Sequence, residues 1–129
     1  MFLYVKLHKL PTQNQLADSY ILHLTLDVRF VIEIFVLNYL YSGDSDAVLP
    51  LSGTRHSINA MKLKSSKRWY PWYHSHGLVG GWSQVYEDGL LTYTTVRAAG
   101  HEVPLSQPRL ALFLFTHFLA NHSLPSSPS

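Results

Sequence analysis

The stretch Tyr41-Ser42-Gly43-Asp44-Ser45-Asp46 ends a long apolar run in a turn that carries two carboxylates. Residues 30–41 before it are almost entirely apolar or aromatic, which predicts a strand that is buried on both faces. An acid that follows such a strand lies at the carboxyl edge of the sheet, where ligands and catalytic groups collect in open α/β folds. The alternative is that Asp44 and Asp46 are ordinary turn and helix-capping residues, as most aspartates in such places are.

The segments around this turn predict a small α/β arrangement. Asn38–Ser42 is the predicted strand that leads into the turn, and Ile21–Asp27 alternates enough to predict another strand upstream. A helix follows the turn, begins with a cap at Ser52 or Thr54, and ends near Leu63. Its apolar residues then face inward.

A hairpin and a terminal helix complete the predicted elements. Val79–Glu87 and Leu90–Arg97 alternate in polarity and are joined by Asp88-Gly89, a strong hairpin signal. Pro108 fits the first turn of a helix. That helix carries a wide apolar stripe, which must pack on the sheet and consists of Leu110, Ala111, Leu114, Phe115, Phe118 and Leu119. The Ser- and Pro-rich end, residues 123–129, is predicted to be disordered.

The composition excludes several classes of function. Only 14% of the 129 residues are charged, against about a quarter in ordinary soluble domains, which suggests that some surface is covered by a partner. A net charge of +2 is too small to predict binding to nucleic acid or to a membrane surface. There is no cysteine, so disulfides and thiolate chemistry are excluded. Asp27, Arg29 and Glu33 argue against a transmembrane span within the apolar run Ile21–Tyr41, and Met1–Leu10 does not resemble a secretory signal.

Two further patterns are weaker. His74 and His76 would point the same way from an extended segment and could begin a zinc site, but a third ligand is not indicated nearby. Basic residues interleaved with aromatics in residues 62–73 are compatible with a nucleic-acid platform, which the low net charge disfavours. We therefore expect neither a metal nor another cofactor.

A histidine near the end of the chain favours a catalytic interpretation of the acidic turn. Gly100-His101-Glu102 follows the hairpin, and an acid at a strand end with a histidine on a later loop is the second half of a Ser…Asp…His order. Five stretches also resemble the carboxyl-terminal part of the plant-type serine carboxypeptidases, namely Tyr41–Val48, Thr54–Ala60, Trp69–Tyr73, Val79–Glu87 and Thr95–Pro104. The resemblance implies an α/β-hydrolase fold and the release of C-terminal residues from peptides. Enzymes of this family usually act in vacuoles or are secreted. The family also contains acyltransferases that use the same triad.

The resemblance implies roles for three residues. Asp46 matches the catalytic aspartate of the family, and His101 matches its catalytic histidine. By the same match, Asp46 would hold the imidazole in the right tautomer while His101 moves the proton of a serine. Glu102 resembles, more weakly, the acid of members that accept basic C-terminal residues. The partners that this implies are the C-termini of peptides.

The sequence departs from the family in its first part. Residues 1–37 are expected to be a divergent N-terminal segment, residues 38–122 the C-terminal part of the hydrolase domain, and residues 123–129 a tail. No Gly-x-Ser-x-Gly pattern occurs in the 129 residues, so we expect the chain alone to be inactive. Three alternatives remain open: pairing with a serine-bearing chain, a fragment of an acyltransferase, or a non-catalytic binding or regulatory remnant.

Overall fold

The structure, a computed structural model, describes residues 38–128. The strand predicted at Ile21–Asp27 and the rest of the expected N-terminal segment lie outside these residues.

Four strands form one mixed sheet. The strands are β1 (Asn38–Gly43), β2 (Ser65–His74), β3 (Leu78–Tyr86) and β4 (Leu91–Val96). Their order across the sheet is β1-β4-β3-β2, in which β1 and β4 run parallel and the other neighbours run antiparallel. The parallel pair has a direct consequence, because the loops that leave β1 and β4 emerge side by side at one edge of the sheet.

Helices pack on both faces of this sheet, which confirms the predicted α/β class. They are α1 (Leu51–Ala60), the short α2 (Val103–Ser106) and α3 (Pro108–Leu119). The core on the α1 side contains Ile58, Met61, Tyr86, Leu91 and Tyr93. The core on the α3 side contains Trp72, Val96, Ala99, Val103, Leu110, Leu114 and Leu124. Strand β4 supplies residues of alternate parity to the two cores, so it is buried on both faces.

Trp72 joins strands β2, β3 and β4. Its ring is fully buried, and its Nε1 donates a hydrogen bond of 3.0 Å to the carbonyl of Thr95. A Cβ at Gly80 would lie 2.2 Å from the indole ring, and a Cβ at Gly81 would lie 1.9 Å from the Thr95 oxygen. The Gly-Gly pair of β3 is therefore explained by the close approach of a large ring and a neighbouring backbone.

Several predicted elements agree with the structure. Strand β1 covers the predicted Asn38–Ser42, and Glu87–Gly89 closes the predicted hairpin between β3 and β4 in a turn with positive φ angles. Helix α3 begins at Pro108 as predicted. Ile58 and Met61 face inward, and they are 1% and 7% exposed.

The cap and the length of the first helix were predicted wrongly. Helix α1 begins at Leu51 after Pro50, without a side-chain cap, and ends at Ala60 rather than near Leu63. Thr54 is buried inside the helix, so it does not cap it. Proline at the N-cap, with φ −57°, already has the backbone geometry that leads into a helix, and its carbonyl accepts hydrogen bonds from the N–H groups of Gly53 and Thr54.

A strand was also missed. Residues 65–74, whose basic and aromatic residues were considered as a binding platform, form β2 and pair with β3 through irregular register shifts. The bulges explain why no clean alternation marks this strand in the sequence. The end of the last helix differs as well. Leu119, placed in the apolar stripe of the last helix, is 66% exposed because it lies in the final turn.

The segment after α3 is packed against the sheet in part. Leu124 is 2% exposed within the α3-side core, and the N–H of Tyr73 donates to the carbonyl of Pro125 at 2.9 Å. The prediction of a disordered tail is therefore wrong for these two residues, because one apolar side chain and one sheet-edge hydrogen bond hold them. Within residues 38–128, the structure contains no helix of the length and hydrophobicity needed to cross a bilayer.

Candidate active site

The acidic turn after β1 and the loop after β4 are hydrogen-bonded to each other. The N–H of Asp44 donates to the carbonyl of Val96, and the N–H of Ser45 donates to the carbonyl of Ala99, both at 3.0 Å. These bonds continue the parallel pairing of the strands for two residues beyond their ends. They fix the position of the Asp46 turn relative to the loop that carries His101.

Gly43 allows this contact. A Cβ at this position would lie 2.2 Å from the Ala99 oxygen and 2.3 Å from the Gly100 oxygen, far inside van der Waals distance. Both clashing atoms belong to the backbone, so they cannot turn away as a flexible side chain would. The glycine of the Gly-Asp-x-Asp turn is thus required by the close approach of the two loops.

Asp46 uses its two carboxylate oxygens differently. Oδ1 accepts the N–H groups of Val48 at 2.8 Å and of Leu49 at 3.0 Å, which closes the turn ahead of α1. Oδ2 lies 3.0 Å from Nδ1 of His101. The side chain is 5% exposed. Burial raises the pKa of Asp46, but the hydrogen bonds from Leu49, His101 and Val48 outweigh it, so the net pKa lies below its usual value.

His101 lies beside Asp46 with part of its ring in solvent. Its side chain is 35% exposed, and the distance between Nδ1 and Asp46 Oδ2 falls within the range of about 2.6–3.2 Å expected for an acid–base pair. The two residues are 55 positions apart in the sequence, so their contact depends on the fold and not on local structure. With Nδ1 bound to the carboxylate, Nε2 is the ring nitrogen left for proton transfer.

The other candidate acids have different contacts. The carboxylate of Asp44 accepts a hydrogen bond of 3.1 Å from the neighbouring Ser45 hydroxyl, so Asp46 is the acid of the turn that reaches His101. Glu102 follows His101 directly and is exposed. Its side chain is therefore accessible to solvent, as a substrate-binding acid must be.

Two residues that no sequence pattern marks hold the histidine loop. Ser106 and Gln107 precede the last helix, and both side chains bond the backbone of this loop. The N–H of Gly100 donates to Ser106 Oγ at 3.2 Å, and Gln107 Nε2 donates to the carbonyl of Ala98 at 3.2 Å. No sequence pattern marks such contacts, because a serine or glutamine side chain can bond many backbone groups.

The histidines considered for zinc lie elsewhere. His74 is the last residue of β2, and His76 lies in the following turn with φ 62°. Among residues 38–128, no three histidine, aspartate or glutamate side chains are grouped so as to hold a metal ion.

An aspartate that holds an imidazole by Nδ1 has a defined chemical capacity. It selects the tautomer with the proton on Nδ1 and stabilises the imidazolium that forms when Nε2 accepts a proton. The arrangement in this structure can therefore act as a general base toward a hydroxyl group, and later as a general acid toward a leaving group.

Comparison with known proteins identifies relatives of this chain. The family model for serine carboxypeptidases matches residues 12–121, a range that includes residues 12–37, which were expected to be divergent. Serine carboxypeptidase-like 28 of Arabidopsis thaliana is 97% identical over 91 residues, which are 70% of this chain and 20% of that protein. Serine carboxypeptidase-like 27 of the same plant is 54% identical over 87 residues, 67% of this chain and 18% of its own length.

A third relative has a similar identity and coverage. Serine carboxypeptidase 24 of Arabidopsis thaliana is 51% identical over 89 residues, which are 69% of this chain and 18% of that protein. The chain thus spans about a fifth of the length of these curated relatives. Since the family model matches most of the sequence, in a range that includes the five similar stretches, the prediction from the sequence is confirmed: this chain belongs to the plant serine carboxypeptidase-like family.

Proposed function

We propose that Asp46 and His101 are the acid and the base of a serine–histidine–aspartate triad that releases C-terminal residues from peptides. The observation that carries the proposal is the 3.0 Å contact between His101 Nδ1 and Asp46 Oδ2 across 55 residues of sequence. The nucleophilic serine of this triad is supplied by polypeptide outside these 129 residues, since no Gly-x-Ser-x-Gly pattern occurs within them.

The geometry supports a standard sequence of proton transfers. His101 Nε2 removes the proton of the serine hydroxyl as the serine oxygen attacks the carbonyl carbon of the C-terminal peptide bond. The imidazolium then gives this proton to the leaving amine, and an acyl-enzyme remains. Water hydrolyses the acyl-enzyme with His101 again as base. Asp46 stays ionised throughout, which agrees with its lowered pKa.

The same proposal gives the sheet a place in a larger fold. In an α/β hydrolase, the aspartate precedes the histidine in the chain, and functional groups of open α/β sheets lie at the carboxyl ends of the strands. Here β1 and β4 are adjacent and parallel, and they lead to Asp46 and His101. We infer that residues 38–122 are the C-terminal part of such a fold, and that Glu102 contacts the side chain of basic C-terminal residues.

The test supplies the polypeptide that this chain is proposed to need. The part of this chain that is 97% identical over 91 residues replaces its counterpart in Serine carboxypeptidase-like 28. The chimera is assayed with N-blocked dipeptides at mildly acidic pH and with a serine-directed phosphonate. His101→Ala is compared with His56→Ala, which removes an exposed imidazole on α1.

The expected outcome separates the two histidines. His101→Ala lowers kcat by about 10⁶-fold, the loss seen when a triad histidine is removed, and it abolishes phosphonate labelling. His56→Ala leaves both unchanged. The turnover of the isolated chain stays below about 1 s⁻¹, which is the lower end of usual enzyme rates. Turnover by the isolated chain, or an active His101→Ala chimera, contradicts the proposal.

A further inference from the structure

Ser106 contacts the backbone on both sides of His101. Its Oγ accepts the N–H of Gly100 at 3.2 Å and donates to the carbonyl of Glu102 at 3.1 Å, with the Val103 carbonyl a longer acceptor at 3.5 Å. Gly100 and Glu102 are the residues immediately before and after the histidine. One hydroxyl group therefore bridges the short stretch of backbone from which the imidazole projects.

The loop needs such support. It begins at Ala98, which has φ 53°, a left-handed conformation that residues with a Cβ rarely adopt. Gln107 Nε2 donates to the carbonyl of this residue at 3.2 Å. Ser106 and Gln107 together thus hold the loop at its start and on both sides of His101.

A purely local explanation covers only half of this arrangement. Serine hydroxyls in helices commonly bond the carbonyl three or four residues earlier, and the contacts with Glu102 and Val103 are of that kind. The bond from the Gly100 N–H is different, because Gly100 precedes helix α2 and is six residues away. It connects the helix end to the histidine loop, and helix formation does not require it.

We propose that Ser106 is a positioning residue for His101, which acts by fixing the backbone on both sides of the imidazole so that Nδ1 stays on Asp46 Oδ2. The catalytic meaning of this role rests on the proposed function, whereas the positioning itself is a property of the chain. The imidazole is partly exposed and can turn toward water when its backbone shifts. Loss of the hydroxyl therefore lets the Nδ1–H leave the carboxylate more often.

The test follows the Nδ1 proton of His101 by NMR in the full 129-residue chain. The chain is ¹⁵N-labelled and observed at about pH 8, where an unperturbed imidazole is neutral. Ser106→Ala removes both hydrogen bonds. Ser106→Thr keeps the hydroxyl, and Ser106→Val has the same shape as threonine without it. Ser66→Ala is the matched control, since the exposed Ser66 Oγ accepts the Asp88 N–H at 2.6 Å in the distant hairpin turn.

We expect the Nδ1 proton to exchange with water about two- to tenfold faster in Ser106→Ala and Ser106→Val, the factor that one ordinary hydrogen bond represents. The ¹⁵N shifts of the two ring nitrogens move toward each other as the second tautomer is populated. Ser106→Thr and Ser66→Ala keep the wild-type exchange rate and shifts. The backbone amide spectrum of Trp72 and Val96 reports whether each variant is folded.

The outcomes separate this inference from the proposed function. Unchanged exchange in Ser106→Ala, with a protected Nδ1 proton in the wild type, overturns the role of Ser106 and leaves the Asp46–His101 pair intact. A wild-type chain without a protected Nδ1 proton contradicts the pair itself, and with it the proposed function. If Ser106→Ala does not fold, the comparison of Ser106→Thr with Ser106→Val decides, and equal exchange in these two overturns the inference.

Discussion

The two ends of the sheet both carry acids that bond backbone N–H groups, but the acids are used differently. In the hairpin turn, Glu87 Oε1 accepts the N–H of Lys64 at 2.5 Å, and the Glu87 N–H donates to the Lys64 carbonyl at 2.9 Å. At the other end, one oxygen of Asp46 closes a turn in the same manner, while its second oxygen holds His101. The first acid ties two segments together, and the second also binds a group that carries a proton.

The difference shows how a structural turn can become a reactive site. Asp46 is 5% exposed, and its two N–H donors keep it in place and ionised. Its remaining oxygen is therefore available to an imidazole at no cost in local order. Glu87 is exposed, and its carboxylate is an ordinary part of a turn. The two acids differ in burial and in whether the carboxylate has a second partner. Neither property can be read from the sequence alone.

The largest effect is expected from crowding the contact between the two loops at the Asp46 end of the sheet. Gly43→Ala places a Cβ about 2.2 Å from two backbone oxygens, and we expect it to lower the free energy of unfolding by about 3 kcal/mol. Gly53→Ala is the control, because its Cβ meets nothing within 4 Å and it lies in helix α1, where alanine stabilises by about 0.5–1 kcal/mol. Urea denaturation measures both, and equal midpoints would contradict the close approach.

A smaller effect is expected from removing each acid. Asp46→Ala leaves the N–H groups of Val48 and Leu49 without their acceptor, so we expect a loss of about 1–2 kcal/mol. Glu87→Ala removes an exposed acceptor that water replaces, and its cost should be within about 0.5 kcal/mol. Thermal and urea unfolding provide the comparison. A larger loss for Glu87→Ala would reverse the distinction between the two ends.

The acid dependence of stability should distinguish the ends further. The pKa of Asp46 is lower in the folded chain than in the unfolded chain, where it is about 3.9. Ionised Asp46 therefore stabilises the fold above about pH 4, and this contribution disappears as the pH falls through the folded-state pKa. We expect Asp46→Asn to lose less stability than the wild type as the pH falls from about 7 through the folded-state pKa of Asp46. Asp44→Asn is the control. An acid dependence of stability in Asp46→Asn identical to that of the wild type would contradict the lowered pKa of Asp46.

A small effect on stability, no larger than that of Glu87→Ala, is expected from the residue that we propose as the catalytic base. His101 is 35% exposed on its side chain, so His101→Ala should change the free energy of unfolding by no more than about 0.5 kcal/mol. The midpoint of thermal unfolding tests this directly. A loss as large as that of Gly43→Ala would mean that the imidazole serves the fold rather than chemistry.

The parts of the fold that the sequence predicted are those with strong local signals. The apolar run into Gly43, the Asp88-Gly89 turn and the proline at the start of α3 each fix an element through backbone preferences. Strand β2 was missed because its bulges interrupt the alternation. The burial of Leu124 was missed because it depends on contacts with residues distant in the sequence.

The candidate site likewise contains residues that the sequence indicated and residues that it did not. Asp46 and His101 were identified by resemblance to the family, and the structure places His101 Nδ1 3.0 Å from Asp46 Oδ2. The supports at Gly43, Ser106 and Gln107 depend on where two loops meet in space. Sequence patterns describe neighbours along the chain, so they could not show which side chains hold the histidine loop.

The central claim is that Asp46 orients the imidazole that performs the chemistry, and kcat of Asp46→Asn in the active chimera tests it most directly. The asparagine can still accept the N–H groups of Val48 and Leu49, but it favours the wrong tautomer of His101, so kcat should fall by about 10⁴-fold. Asp44→Asn, the neighbouring acid of the same turn, should retain the activity of the unchanged chimera. A loss of activity in Asp44→Asn equal to that in Asp46→Asn, or full activity in Asp46→Asn, would contradict the account.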